Sequence, residues 1–188
     1  SDCDMETTVS GVVRAGFLNQ GQVCLCGSRV LVEDSIYEQF RERFVDAVES
    51  MVVGDPSDEA TELGALISSE HLGKVSEYVE VAKKEGGNLL TGGQPSLPSK
   101  FEHGNWMAPT VIEGLSPDSR CSTEEIFGPV VTIQSFNSEK QAIENANGTD
   151  YGLSAMVWTG DKKKGNRIIS QIDAGIIWLN CWMVRDLR

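Results

Sequence analysis

The stretch FLNQGQVCLCGSRVLV, residues 17–32, places Cys24 and Cys26 one residue apart among glycines and polar residues. The Val-Leu-Val run at 30–32 follows at once and predicts a strand. Loops carried on a rigid scaffold hold function disproportionately, so Cys24 is a candidate nucleophile. Its close neighbours along the chain include no His or Lys, and any group that activates the thiol must therefore come from elsewhere in the fold.

Helix and strand patterns alternate outward from this stretch. Helices are predicted after Asp4 and Ser35, around residues 72–82, after Ser138 and over residues 162–172, and strands at 30–32, 88–91, 109–112, 130–136, 152–158 and 175–180. Several strands are apolar on both faces, which favours an α/β fold with a mostly parallel twisted sheet and helices on both faces. Ligands of such sheets bind beyond the carboxyl ends of the strands, so we expect a crevice between loops 18–27 and 121–129 and the tail after Asn180.

Composition narrows the class of protein. A chain of 188 residues with 40% hydrophobic and 23% charged residues is typical of one soluble globular domain. The net charge of −12 argues against nucleic acid or an anionic membrane as a partner. There is no apolar run near 18 residues, so no membrane span is expected. The five irregularly spaced cysteines indicate reduced thiols in an intracellular, cytoplasmic protein.

A metal site and a redox pair are both poor explanations of the cysteines. The pair Cys24 and Cys26 has no second pair elsewhere, and His71 and His103 lie in unrelated polar contexts. We therefore predict no metal and expect both histidines to be solvated. A redox motif would favour two intervening residues, and here there is one.

Two further segments have ordinary structural explanations. In STEEIFGPVV, residues 122–131, Ser122 and Glu125 fit a capping box for one helical turn that Gly128-Pro129 ends. In the tail NCWMVRDLR, residues 180–188, Arg185 has the character of a solvated surface residue. The chain has no G-x-G-x-x-G, no P-loop and no G-x-S-x-G. Residue patterns alone thus indicate an α/β domain with one suspicious cysteine.

The motifs in combination change that interpretation. NQGQVCLCGSR, EEIFGPV, YGLSAMVWT and AGIIWLNCW, in this order along the chain, resemble the NAD(P)-dependent aldehyde dehydrogenase superfamily. The resemblance covers essentially the whole chain and is to the catalytic domain only. It implies that residues 1–188 are a catalytic-domain segment, with the cofactor-binding domain and the oligomerisation segments outside it. It further implies NAD or NADP held mostly by that other domain, a small-molecule aldehyde substrate and a homodimeric or homotetrameric parent enzyme.

The resemblance assigns a role to each motif residue. Cys24 matches the nucleophile, which attacks the aldehyde as a thiolate; the thiohemiacetal gives up a hydride and the thioester is then hydrolysed. Its backbone N–H would form part of the oxyanion hole, and Cys26 would be a structural neighbour. Glu125 resembles the residue that hydrogen-bonds the nicotinamide ribose, and Phe127 resembles the aromatic residue that packs beside the ring.

The tail implies a substrate. It is similar to the branch that oxidises 2-aminomuconic and 2-hydroxymuconic semialdehydes, which carry a carboxylate distal to the aldehyde. Arg185 is suited to bind such a carboxylate, because a guanidinium group meets it bidentately. By the same resemblance Asn180 helps to hold the loop beside the cysteine, and Trp182 completes the substrate side.

Parts of the family's machinery lie outside this sequence. They include the glutamate of the ELGGK motif, which activates the hydrolytic water, and the asparagine that completes the oxyanion hole. We therefore expect little or no dehydrogenase turnover from the isolated chain. A second hypothesis is a non-catalytic folded or self-associating domain, with Trp178 and Trp182 as an exposed association edge. A thiol-redox module is a third.

Overall fold

Helices and strands alternate in the computed structural model, which describes residues 2–186. The elements are α1 (Met5–Phe17), β1 (Arg29–Glu33), α2 (Tyr37–Glu49), α3 (Ser69–Lys84), β2 (Asn88–Thr91), β3 (Thr110–Glu113), α4 (Arg120–Thr123), β4 (Val130–Phe136), α5 (Glu139–Ala146), β5 (Ser154–Val157), α6 (Lys162–Ile169) and β6 (Ile176–Leu179). Two 3₁₀ turns, Leu18–Gly21 and Asp34–Ile36, precede β1 and α2 respectively. Within this part of the chain no helix is long and apolar enough to cross a membrane.

The strands form two sheets. One has the order β1-β4-β3-β2, with β1, β4 and β3 parallel and β2 antiparallel to β3. The other is the parallel pair β5-β6. The α/β class with mainly parallel pairing is thus confirmed, but the expected single sheet is divided. A cavity of about 450 Å³ is lined by residues of both β1 and β5, so the sheets are separated at these strands.

Helices cover both faces of the larger sheet, as predicted, because successive residues of a strand point to opposite faces. Val111 and Val131 face a core shared with α1 and α2, whereas Ile112 and Val130 face a core shared with α3 and α4. The first core contains the fully buried rings of Phe17 and Phe44. Burying side chains of this size stabilises a fold by about 1.5–3 kcal/mol each. The two cores therefore fix the sheet, and with it the loops that lead into its strands.

Of the four helix starts predicted from local signals, two are confirmed. Asp4 caps α1 by accepting a hydrogen bond of 2.8 Å from Thr7 N. Ser138 caps α5 by accepting from Gln141 N. The start predicted at Ser35 is wrong, because Ser35 lies inside the 3₁₀ turn that precedes α2.

The capping box predicted at Ser122 and Glu125 is also wrong. The helical turn is α4, and its N-cap is Ser119. Ser122 lies inside the turn and is buried, where its hydroxyl accepts hydrogen bonds from Ser119 Oγ at 2.8 Å and from Gln134 Nε2 at 2.9 Å. Glu125 follows the helix and is exposed. Its carboxylate is therefore free of a capping role.

Candidate active site

The cysteine loop and the 121–129 segment lie at the same edge of the larger sheet. The first precedes β1 and the second precedes β4, and these strands are parallel with Arg29 opposite Thr132. Both loops are therefore at the amino ends of their strands. The expectation of a crevice at the carboxyl ends is wrong for these two loops, because each enters its strand rather than leaving it.

The two loops touch at glycines. Gly21 has φ +68°, and a Cβ atom at this position would lie 2.1 Å from Gly128 O. Gly128 is packed on its other side by α3, since a Cβ atom there would lie 2.6 Å from Val75 Cγ2. Only glycine permits both the left-handed backbone and this approach at position 21. The packing fixes the cysteine loop against the segment that carries Glu125.

Cys24 lies in a tight turn that Cys26 N closes by donating to Val23 O at 2.9 Å. Cys24 is exposed, whereas Leu25 beside it is buried. Cys26 turns inward, with its thiol 4.0 Å from Leu18 O, and burial raises its pKa to about 11. Because the thiolate is the reactive form, the raised pKa disfavours reaction of Cys26 at neutral pH. This supports a structural role for Cys26 and counts against a redox pair.

The tail folds back onto the cysteine turn. Trp182 is 8% exposed and its indole Nε1 donates to Leu25 O at 2.8 Å. Trp178 is 5% exposed, and its indole donates to Val184 O at 2.9 Å. The prediction that these tryptophans form an exposed association edge is therefore wrong, because both rings belong to a core with Leu25 and Ala15. The self-association hypothesis loses this surface and otherwise stays a prediction.

Asn180 and Arg185 lie at the two ends of this tail. The Asn180 side-chain amide accepts from Thr159 N and donates to Thr159 O, both at 2.8 Å. Asn180 thus fastens the end of β6 to the residues after β5, and the hydrogen bond to the cysteine turn comes from Trp182 instead. The role of Asn180 beside the cysteine loop stays a prediction. Arg185 is exposed.

Glu125 and Phe127 flank a buried anchor. Ile126 is 3% exposed and packs in the core beneath α3, which directs its neighbours outward. Phe127 has φ +61° and is half-buried. A non-glycine residue in this region costs about 1–3 kcal/mol and persists only where its surroundings hold it. The segment thus presents a free carboxylate and an aromatic ring beside the cysteine loop.

His71 holds that strained residue. Its Nε2 lies 2.6 Å from Phe127 O, and the two rings meet edge to face with centroids 6.2 Å apart. The expectation that His71 is solvated is therefore wrong, whereas His103 is exposed as predicted. Nothing local in the sequence indicates the contact, since it joins residues 56 positions apart. Within residues 2–186 no group of three or more His, Cys, Asp or Glu side chains could hold a metal ion.

An ion pair fixes the residue before Glu125. Arg120 donates to both carboxylate oxygens of Glu124, at 2.9 and 3.0 Å, and Tyr78 OH donates to the same carboxylate at 2.7 Å. The Arg120 hydrogen bonds and then that of Tyr78 lower the pKa of Glu124 to about 2. Glu124 is therefore ionised and oriented at neutral pH, which leaves Glu125 as the carboxylate available to a ligand.

This arrangement can perform covalent chemistry on a small electrophile. An exposed thiol sits in a braced turn, and a carboxylate and an aromatic ring lie on the segment packed against it. A carboxylate accepts hydrogen bonds from sugar hydroxyls, and an aromatic ring packs against a planar heterocycle. The residues present therefore fit one end of a nicotinamide nucleotide.

The sequence profile of the aldehyde dehydrogenase family matches residues 1–188. The chain belongs to this family.

Particular relatives narrow the comparison. The chain is 45% identical to a 2-aminomuconic semialdehyde dehydrogenase of Mus musculus and 42% identical to a 2-hydroxymuconic semialdehyde dehydrogenase of Pseudomonas putida. Each match covers 100% of this chain and 39% of the relative, so the chain spans about two fifths of their length. Among solved structures, betaine aldehyde dehydrogenase from Staphylococcus aureus in complex with NAD+ has a TM-score of 0.96 at 36% identity, covering 98% of this chain and 37% of that one.

Proposed function

We propose that residues 1–188 are the catalytic-domain segment of an NAD(P)-dependent aldehyde dehydrogenase in which Cys24 is the nucleophile. The observation that carries the proposal is the exposed Cys24 thiol in a turn tied to Trp182, packed against the segment of Glu125 and Phe127. Covalent catalysis needs a nucleophile held still beside the group that completes the reaction. These contacts meet that need.

Cys24 forms and then releases the covalent intermediate. Its thiolate attacks the aldehyde carbon, and the resulting oxyanion would accept a hydrogen bond from the Cys24 backbone N–H. Loss of a hydride from the thiohemiacetal leaves a thioester, and water hydrolyses the thioester to the acid and frees the thiol. The hydrogen bond that closes the turn is donated by Cys26 N, and Cys24 N donates to no backbone acceptor among the described residues.

Glu125 and Phe127 would hold the nicotinamide end of NAD or NADP. Glu125 would accept from the ribose hydroxyls and Phe127 would pack beside the ring. The bound cofactor supplies the hydride acceptor. Two contacts are too few to retain a dinucleotide, so most of its binding would fall to residues outside this chain. The isolated chain would then show little or no turnover, and the parent enzyme would be a cytoplasmic homodimer or homotetramer.

A carboxylated muconate-type semialdehyde is the proposed substrate. Arg185 is exposed in the tail that Trp182 fastens to the cysteine turn, and its guanidinium would bind a carboxylate distal to the aldehyde bidentately. Trp182 donates its indole N–H to Leu25 O and would contribute to substrate binding by positioning the tail. Asn180 would contribute in the same way, because it holds the end of β6. In the full-length enzyme, Arg185→Ala should lower kcat/KM for a carboxylated semialdehyde but not for a neutral aldehyde. Equal losses for both would refute the substrate assignment.

Limiting alkylation tests the nucleophile directly on this chain. Iodoacetamide at pH 7, followed by peptide mass mapping, should label Cys24 well before Cys26, because a thiol of pKa about 11 is ionised in only about one molecule in 10,000 at that pH. Cys24→Ser should abolish the fast adduct without changing the unfolding midpoint. Equal labelling of all five cysteines would mean that the turn does not distinguish Cys24 from the rest.

A further inference from the structure

One face of α3 lies along the segment that carries Glu125 and Phe127. Residues His71, Lys74 and Tyr78 are spaced three and four apart, so their side chains share one face of the helix. His71 contacts Phe127 O at 2.6 Å, Lys74 Nζ donates to Glu125 O at 3.4 Å, and Tyr78 OH donates to Glu124 at 2.7 Å. From His71 to Tyr78 along the helix, the contacted residues run backwards along the chain from Phe127 to Glu124. The helix and the segment are therefore antiparallel.

The His71 contact secures the part of the segment that most needs support. Phe127 has a left-handed backbone, which an L-residue adopts only when its neighbours enforce it. A carbonyl oxygen only accepts, so His71 Nε2 must carry the hydrogen. His71 is itself fixed, because its backbone N–H donates to the N-cap Ser68 Oγ at 3.1 Å. The helix start and the strained carbonyl are therefore joined rigidly.

The Tyr78 contact secures the other end of the segment. Its hydroxyl and the two Arg120 hydrogen bonds leave the Glu124 carboxylate a single orientation. The Arg120 guanidinium also lies 5.5 Å from the centre of the Tyr78 ring, which favours the cation over its face. With Glu124 and Phe127 both held, the backbone of Glu125 between them has little freedom.

We infer that His71, Lys74 and Tyr78, here called the α3 contact face, are positioning residues that set how Glu125 and Phe127 are presented. The same helix also contacts the residue on which the cysteine loop packs, because Val75 lies against Gly128 and Gly21 approaches Gly128 O. The face acts through the segment and not on the reacting atoms. The inference rests on the proposed function only in taking Glu125 and Phe127 to contact the cofactor.

Amide hydrogen exchange of the chain tests the inference. His71→Leu removes the donor, whereas His71→Gln keeps an N–H at similar reach. The amides of Glu124 and Val130 flank the segment and are hydrogen-bonded to Arg120 O and Gly128 O. We expect them to exchange about tenfold faster in His71→Leu, the factor for one lost hydrogen bond, and to return to the wild-type rate in His71→Gln. Amides of β3, and of β4 beyond Val130, should be unaffected in both. Glu80→Gln, an exposed change on the opposite side of α3, is the control and should leave the segment unchanged.

Unchanged exchange in His71→Leu, or no recovery in His71→Gln, would overturn the inference. The KM for NAD+ in the full-length enzyme separates it from the proposed function, because Glu125→Gln and Phe127→Ala should raise that KM if both residues contact the cofactor. Faster exchange in His71→Leu together with an unchanged KM for NAD+ in both variants would support the positioning role and refute the cofactor assignment. A raised KM with unaltered exchange would refute the positioning role and support the cofactor assignment.

Discussion

Replacing Gly21 with alanine tests the contact that brings the two loops of the site together. At φ +68° an alanine pays about 1 kcal/mol relative to glycine. Its Cβ atom would also lie 2.1 Å from Gly128 O, so the backbone must separate by about 1 Å, and overpacking of this kind costs about 1–3 kcal/mol. We therefore expect Gly21→Ala to lower the free energy of unfolding by about 2–4 kcal/mol.

Urea unfolding measures that loss, and Gly73→Ala is its matched control. Gly73 lies inside α3, and among residues 2–186 nothing beyond the adjoining helix backbone lies within 4 Å of the position that its Cβ atom would take. Alanine there should therefore stabilise the chain by about 0.5–1 kcal/mol. Alkylation of Cys24 supplies a second readout, because a displaced turn should alter its rate in Gly21→Ala only. A Gly21→Ala variant within about 0.5 kcal/mol of the wild type would refute the close packing of the loops.

Three further outcomes are expected. Trp182→Phe should cost about 1 kcal/mol in urea unfolding through the lost hydrogen bond to Leu25 O, and an unchanged midpoint would contradict the anchoring of the tail. Arg120 lowers the pKa of Glu124 in the folded chain to about 2 from its ordinary value of 4.5. The stability that ionised Glu124 contributes is therefore present above pH 4.5 and is lost as the pH falls towards 2. Urea midpoints should fall more steeply over that pH range in the wild type than in Glu124→Gln. Alkylation of Cys26 should rise about tenfold per pH unit up to about pH 11, and a plateau near pH 8 would show that the thiol is open to solvent.

Signals that act within a few residues could be read from the sequence. Asp4 and Ser138 cap their helices as predicted, because an N-cap bonds to an amide only three positions away. The same reasoning failed at Ser122, because Ser119 occupies the N-cap position of α4 and makes no side-chain cap hydrogen bond there. Local chemistry indicates that a helix starts nearby, but packing decides which of the neighbouring serines is the N-cap. Ser122 is buried, and its hydroxyl accepts a hydrogen bond from Gln134.

Contacts between distant residues could not be read in this way. The bond from Trp182 to Leu25 spans 157 positions and reverses the prediction of an exposed edge. The edge of the sheet at which the site lies, by contrast, could have been predicted from the order of loops and strands along the chain. A loop that precedes a parallel strand lies at the amino end of that strand, and both the loop of Cys24 and that of Glu125 precede theirs.

Backbone strain marks the same three segments that the sequence indicated as the site. In the part of the chain that the structure describes, the non-glycine residues with positive φ are Asn19, Gln20, Phe127, Asn180 and Met183. All five fall in the cysteine loop, the segment after α4 or the tail. At about 1–3 kcal/mol each, such strain survives only where packing and hydrogen bonds oppose it. Contacts within this chain provide that support, notably those of α3 and of the buried tail tryptophans. The chain should therefore hold the turn of Cys24 in shape before any substrate arrives.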